Sequence, residues 1–250
     1  MNETELFEKR ITELADQSYA RGIVTFSDFL DLNQQHILHS RSWRERGVAV
    51  ETSGGYETAE RRMAAFVPDG LSYEWEFPFV CLRVEPLSDK FAGEMNHRDF
   101  LGSILSLGID RSVLGDLIVR GKTAQIFVED RMADFIISEL TRVRRTPVRA
   151  FPVTSDADRF RPEEEQKTGS VASVRLDSVA ALAFGLPRSQ ISDRIREGRV
   201  FVNAKLVTSN GHPLHEGDLI SVRGCGKCRF DGSVHTTKKG RLMIRVSRFV

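Results

Sequence analysis

Arg188, Ser192, Arg196 and Arg199 recur at spacings of 4, 4 and 3, which lines side chains along one face of a helix. A guanidinium is planar, permanently charged and able to hold two phosphate oxygens at once, and a serine hydroxyl adds a neutral donor. Such a stripe can grip a nucleic-acid backbone without reading its sequence. Further donors crowd the same stretch: Arg175 before it, Ser189 and Arg194 within it, Asn203 and Lys205 just after it, and Arg223, Lys227 and Arg229 beyond. These twelve residues are the candidate RNA-binding set.

Rival chemistries in the chain are weaker. Cys225-Gly226-Lys227-Cys228 has the C-x-x-C spacing of half a zinc site, and His212, His215 and His235 lie near enough in sequence to complete one. With Lys227 between the thiols and Arg223 and Arg229 outside them, the loop reads first as a phosphate-contact loop, and no metal is expected. His97, Arg98 and Asp99 suggest an acid-base cluster, but neighbouring residues on a helix diverge, so a helix N-terminus with a capping role is expected. Gly54-Gly55 follows a strand without the spacing of a phosphate-binding loop. No catalytic residue, cofactor or small-molecule substrate is expected.

The elements that must carry the basic stripe are legible. Leu176, Val179, Ala180, Ala183 and Leu186 form one helical face, stopped by Gly185 to Pro187. Ser189 is placed to cap a second helix, in which Ile191 and Ile195 face the first, and Gly198 ends it. Val200 to Val202 and Lys205 to Val207 flank Asn203-Ala204, a hairpin signal, and Glu216-Gly217-Asp218 leads into a strand over Leu219 to Arg223.

The runs RLD, PRSQISDRIREGRVFVNAK and EGDLISVRG closely resemble the alpha-L RNA-binding domain, first named from a small-subunit ribosomal protein and also attached to pseudouridine synthases and tyrosyl-tRNA synthetases. The resemblance covers about Arg175 to Phe230, with two departures: Asn203-Ala204 where the family usually has Asn-Gly, and the two cysteines of the loop after Arg223. Upstream, HRDFLGSILSLGIDRSVLGDLIV and GGYETAERRMAAFVP resemble the YlmH-type bacterial proteins, in which this domain ends a three-part chain of similar length. That resemblance implies association with the large ribosomal subunit, contact with ribosomal RNA and tRNA, and a part in holding tRNA on stalled, split subunits during C-terminal tailing of the nascent chain. Alpha-L domains also deliver enzymes to RNA, so the alternative is a pseudouridine synthase-like or methyltransferase-like RNA-modifying enzyme. Against it, the chain's only Arg-Leu-Asp, Arg175 to Asp177, lies inside the binding domain, and no glycine-rich cofactor turn is present.

The rest of the chain reads as α+β in three small units: 1–72, a mixed N-terminal α/β unit; 73–153, a ferredoxin-like βαββαβ middle unit; and 170–250, the alpha-L domain, with 154–169 as linker. In the first, Leu6, Phe7, Ile11, Leu14 and Ala15 mark a helix; short helices are expected about Asp28 to Leu32 and Glu57 to Arg62, a strand over Gly47 to Glu51, and a break at 66–72. In the middle unit, strands are expected at Phe77 to Val84, Leu114 to Val119, Thr123 to Val128 and Pro147 to Val153, and helices at His97 to Gly108 and Asp130 to Leu140. Arg120-Gly121 sits where an RNA-recognition strand would begin, yet Thr123, Gln125 and Ile126 stand where stacking aromatics are wanted.

Charge divides the chain as the motifs do. Across 250 residues the formal net charge is +1, but residues 171–250 carry 14 Lys and Arg against 6 Asp and Glu, a net of +8, and residues 1–170 a net of −7. A basic module of this size is an electrostatic footprint for a polyanion, most often nucleic acid, although a membrane surface or an acidic protein also satisfies the arithmetic. Glu3, Glu5 and Glu8 stand where a secretory signal needs basic residues, no apolar run could span a bilayer, and three cysteines suit a reducing compartment. The expectation is a cytoplasmic protein with no membrane partner.

Overall fold

Asn2 opens the first helix, α1 (Glu3–Arg21): its side chain accepts from the Glu5 amide at 2.8 Å while Glu5 accepts from the Asn2 amide at 2.9 Å, a reciprocal cap. Ile11, Leu14 and Ala15 are buried on the face their spacing indicates. The next segment departs from expectation. Thr25–Leu30 is a strand, β1, with Thr25, Ser27 and Phe29 alternately buried, and the helix, α2 (Leu32–His39), starts only after Asp31, which caps it through the Gln34 amide. Threonine and the two phenylalanines suit a pleated, half-buried surface better than a helix, and the aspartate punctuates. β2 (Val48–Ser53) and β3 (Arg62–Pro68) complete a sheet ordered β1-β3-β2. No helix forms over 57–62, because the Asp116 carboxylate accepts from the amides of Glu60 and Arg61 and holds an irregular turn there. The expected break at 66–72 narrows to the turn after Pro68.

Next come β4 (Phe79–Pro86), α3 (His97–Leu105), β5 (Leu114–Arg120), β6 (Thr123–Glu129), α4 (Asp130–Glu139), β7 (Arg142–Val143) and β8 (Thr146–Pro152). The sheet order is β5-β6-β4-β8-β7, every pair antiparallel. Both helices cover one face, where Leu82, Val84, Phe100, Ile104, Ile126 and Ile136 are fully or almost fully buried. α3 is capped by Asn96 with Asp99 reciprocating, so the cluster at 97–99 is a helix start. On the opposite face Cys81 and Phe127 pack against Phe29, Met63 and Val153, joined by Phe79 and Tyr56. Ring centroids lie 5.3 Å apart for Phe29 and Phe79 and 6.1 Å for Phe79 and Phe127. The face that an RNA-recognition sheet leaves open for bases is here occupied by the N-terminal residues.

The computed structural model describes residues 2–153, 159, 162–237 and 240–249, and contacts gather into two units, 1–161 and 162–250. The N-terminal and middle parts thus share one unit, because the aromatic layer belongs to both. The second unit comprises β9 (Glu164–Val171), α5 (Leu176–Phe184), α6 (Arg188–Arg196), β10 (Val200–Val202), β11 (Lys205–Leu206), β12 (Leu219–Val222), β13 (Gly226–Thr236) and β14 (Leu242–Phe249), with sheet order β11-β10-β12-β13-β14-β9. Of the expected linker 154–169, residues 154–158, 160 and 161 lie outside the described residues, and from Glu164 onward the chain is strand, paired with β14 from Phe249↔Glu164 to Leu242↔Val171. An edge strand can be polar on most of its length when its partner strand supplies the apolar contacts, and polarity alone therefore read as linker. Starting the unit at 162 adds three glutamates and one lysine, so its net charge is +6.

Candidate nucleic-acid interface

α5 is almost wholly buried, and Gly185 (φ 65°) closes it in the left-handed conformation that glycine tolerates. Ile191 and Ile195 of α6 enter the same core as Val179, Ala183, Val200, Val222 and Ile244. That fixes the rotation of α6 and turns Arg188, Ser189, Ser192 and Arg196 away from the core. α6 begins two residues earlier than its serine suggested: Pro187 occupies the cap position, no side chain caps the helix, and Ser189 is exposed in the first turn. Proline has no amide to satisfy and its fixed φ suits a helix entry, so the serine cap is not needed.

The arginines are held in place by carboxylates. Asp177, only 4% exposed, accepts a hydrogen bond from Arg188 Nη2 on Oδ2 at 2.5 Å and forms an ion pair with Arg175, whose Nε lies 3.5 Å from Oδ1 without a hydrogen bond. Ser178 Oγ donates to Asp177 Oδ1 at 3.2 Å. One buried negative charge therefore orients two guanidiniums, whose outer parts stay exposed, and the trio keeps a net positive charge. Asp177 was not among the sequence candidates; its place in the first turn of α5, two residues after Arg175, is the signal that could have found it. Arg196 pairs with Asp193, and Arg199 Nη1 lies 3.3 Å from Glu197 Oε2. These two pairs are exposed, so each contributes about 0–1 kcal/mol and can be exchanged for a phosphate at little cost.

The loop after β12 packs against this helix. The Arg223 amide donates to the Arg199 carbonyl at 2.9 Å, and Arg194 Nε donates to Cys225 Sγ at 3.2 Å. Arg223 lays its guanidinium 5.3 Å from the centroid of the buried Phe201 ring. Arg194, Arg199 and Arg223 thus meet around one turn although they are up to 29 residues apart. Lys205, on the hairpin β10–β11, is exposed and has no ion-pair partner among the described residues. Lys227 is half-buried on β13.

Two candidates sit differently. Asn203 donates from Nδ2 to Asp218 at 2.8 Å and accepts from the Leu219 amide at 2.9 Å, so its side chain ties the hairpin to β12. Asn203 and Ala204 have φ of 48° and 61°, a turn with two left-handed residues in which alanine replaces the usual glycine. Arg229 is engaged by Asp231 at 2.8 Å and Glu164 at 2.9 Å, and its hydrogen bond to Asp231 holds its pKa above the usual arginine value. The cysteines do not face one another as ligands: Cys228 is fully buried in the core, where burial, with Asp231 nearby, pushes its thiol up to about 12, while Cys225 lies under Arg194. Among the described residues no three His, Cys, Asp or Glu side chains converge on a metal-sized site, and no helix is long and apolar enough to cross a membrane.

Comparison with known proteins adds three findings. Residues 75–156 match the family described as “Putative RNA-binding domain in YlmH”, and residues 174–220 match the S4 domain. The ribosome-associated protein quality control protein P2 of Bacillus subtilis (strain 168) is 31% identical over 224 residues, covering 89% of this chain and 86% of the relative. Among solved structures, the cell division protein ylmH from Streptococcus pneumoniae aligns over 60% of this chain and 88% of its own, with 21% identity and a TM-score of 0.49.

Proposed function

Because the chain belongs to the YlmH-type family of RNA-binding proteins with a C-terminal S4 domain, we propose that it is a non-catalytic clamp that holds ribosomal RNA and tRNA on the large ribosomal subunit. The observation that carries this reading is the α6 surface, where Asp177 orients Arg175 and Arg188 and the loop of Arg223 closes on Arg194 and Arg199. Preset guanidiniums lose less side-chain freedom on meeting phosphate, and they carry no base-edge code, so the ligand is a folded RNA shape. The quality-control name of the B. subtilis relative supports a role on stalled nascent chains in the cytoplasm. The three-part division is also proposed. The order β5-β6-β4-β8 supports a ferredoxin-like middle part, and the shared aromatic layer joins that part to the first.

Sedimentation of the full chain with ribosomal subunits tests the proposal. Association with free large subunits, weakening steeply as salt rises because counterions are released from phosphate, is the expected result. Binding that ignores salt across a several-fold range removes phosphate neutralisation as the driving force. A nucleotide mass shift in naked ribosomal RNA treated with the protein, absent from a deletion strain, replaces the clamp with an RNA-modifying enzyme.

A further inference from the structure

One end of the middle sheet carries a cluster of four cations, Lys90, Lys122, Arg144 and Arg145, built around an exposed ring. After β4 the chain makes a short helical turn, Asp89–Phe91, which leaves Phe91 80% exposed. Lys90 Nζ stands 5.5 Å from the Phe91 ring centroid, and Lys122, from the β5–β6 turn, donates to the Asp89 carbonyl at 2.9 Å and lies 3.8 Å from the Asp89 carboxylate. Beside Phe91 lies a groove of about 840 Å³ lined by Phe91, Gly93, Glu94, Met95 and the β7–β8 hairpin residues Arg144, Arg145 and Thr146. Arg144 is held at φ 53° and pairs with Asp99 at 3.6 Å, whereas the exposed Arg145 has no ion-pair partner among the described residues.

A large ring this exposed has no packing role, and a hydrophobic partner protein would be met by four cations at one sheet end, set against the carboxylates of Asp89, Glu94 and Asp99. An unpaired nucleotide matches both halves of the surface: its base stacks on the face of Phe91 that Lys90 leaves open, and its phosphates meet Arg145, Lys122 and Lys90. The groove volume accommodates one to two nucleotides by the usual size of small-ligand pockets, about 300–1,000 Å³. The aromatic residues that the sheet face lacks for this purpose are thus replaced by one at the sheet's end. We propose that this groove is a second RNA site, specific for single-stranded RNA through Phe91; it rests on the RNA-binding reading above but not on the α6 surface.

The test uses the full chain, with a ten-residue oligouridylate and a blunt RNA duplex as probes, titrated in parallel into wild type and variants. Phe91→Ala is expected to weaken the oligouridylate about fivefold or more, the range measured for loss of a stacking aromatic, and to leave duplex binding unchanged. Phe91→Tyr keeps wild-type affinity because the ring remains, and Arg145→Ala lowers the salt slope by about one. The thermal transition of these variants should not move, since both side chains are exposed. Oligouridylate affinity indifferent to Phe91→Ala overturns the proposal, as does a wild type that binds only the duplex, the result expected if the groove receives a peptide. The same titration in an Arg196→Ala, Arg199→Ala background separates the two readings. Oligouridylate binding that is weakened there but indifferent to Phe91 removes this groove and keeps the α6 surface, whereas dependence on Phe91 alone keeps the groove and removes α6.

Discussion

Two sets of arginines in this chain do opposite work with the same side chain. Arg61 and Arg111 are embedded between the first sheet and β5. Arg61 donates to the carbonyls of Leu114, Phe29 and Arg111, and Arg111 to those of Leu114 and Gly115. Burial lowers the pKa of both, that of Arg111 to about 10. Beside them the Asp116 carboxylate accepts from Tyr56 Oη at 2.6 Å and from two backbone amides, and burial followed by that carboxylate holds the Tyr56 phenol far above its usual value. On α6, Arg188 and Arg196 instead each meet a single carboxylate and keep their outer nitrogens in water. Hydrogen bonding to carbonyls spends a guanidinium on the fold; pairing with one carboxylate fixes its direction and leaves capacity for a ligand.

The largest expected effect therefore falls on an arginine enclosed in the fold. Arg61→Ala should destabilise the first unit by about 3 kcal/mol, because carbonyls and carboxylates lose a buried partner, and a thermal melt should show it while RNA affinity of the folded fraction stays unchanged. Weakened RNA binding without a shifted melt would dissolve the distinction. The Arg196→Ala, Arg199→Ala variant should do the reverse, costing about tenfold in affinity for structured RNA with little change in stability, read by a binding titration beside a melt.

Asp177→Asn probes the orienting role. Removing a negative charge strengthens RNA binding if only net charge matters. If Asp177 positions Arg175 and Arg188, affinity should instead fall, by about threefold for the order of 0.5–1 kcal/mol of freedom regained per side chain. Arg188→Ala is the poorer probe, since it leaves a buried carboxylate with one partner and perturbs the fold as well. Alkaline titration addresses the core beneath. The Cys228 thiol is held up to about 12 from 9.0, so the unfolded chain ionises it first. Its stabilising contribution is complete below pH 9 and declines as pH rises from there toward 12, and Cys228→Ala should flatten that part of the second unit's stability profile. The smallest effect is at the hairpin: Ala204→Gly relieves a left-handed alanine and should raise stability by about 0.5 kcal/mol, after the entropy of glycine is offset, with RNA affinity unaltered.

Most of this contrast was legible in α6 and invisible elsewhere. The spacing of Arg188, Ser192 and Arg196 against Ile191 and Ile195 is periodic, and periodicity survives into structure because a helix repeats its environment every turn. β1 failed that test: Thr25 to Leu30 is too short to separate a two-residue from a helical period, and its pairing with β3 depends on residues 32 to 41 positions on, such as Met63 and Ala65. The same holds for residues 57–62, whose turn is dictated by Asp116, and for β9, whose polar sequence makes sense only beside β14. Site residues followed the same rule. Local spacing revealed the stripe, whereas Asp177's burial, Asn203's engagement with Asp218 and the meeting of Arg194 with Cys225 arise from contacts across the fold.

The pairing of β9 with β14 bears on how this domain can travel between proteins. A gene fusion or recombination that joins the S4 segment to a new partner at residue 170 would leave β14 with six open backbone positions, among them Ile244, Val246 and Phe249, as an unprotected edge that invites pairing with another copy. The heritable module is therefore longer than its RNA-binding motif: it begins at Pro162, and the glutamates that look like spacer are part of what keeps it a monodisperse building block.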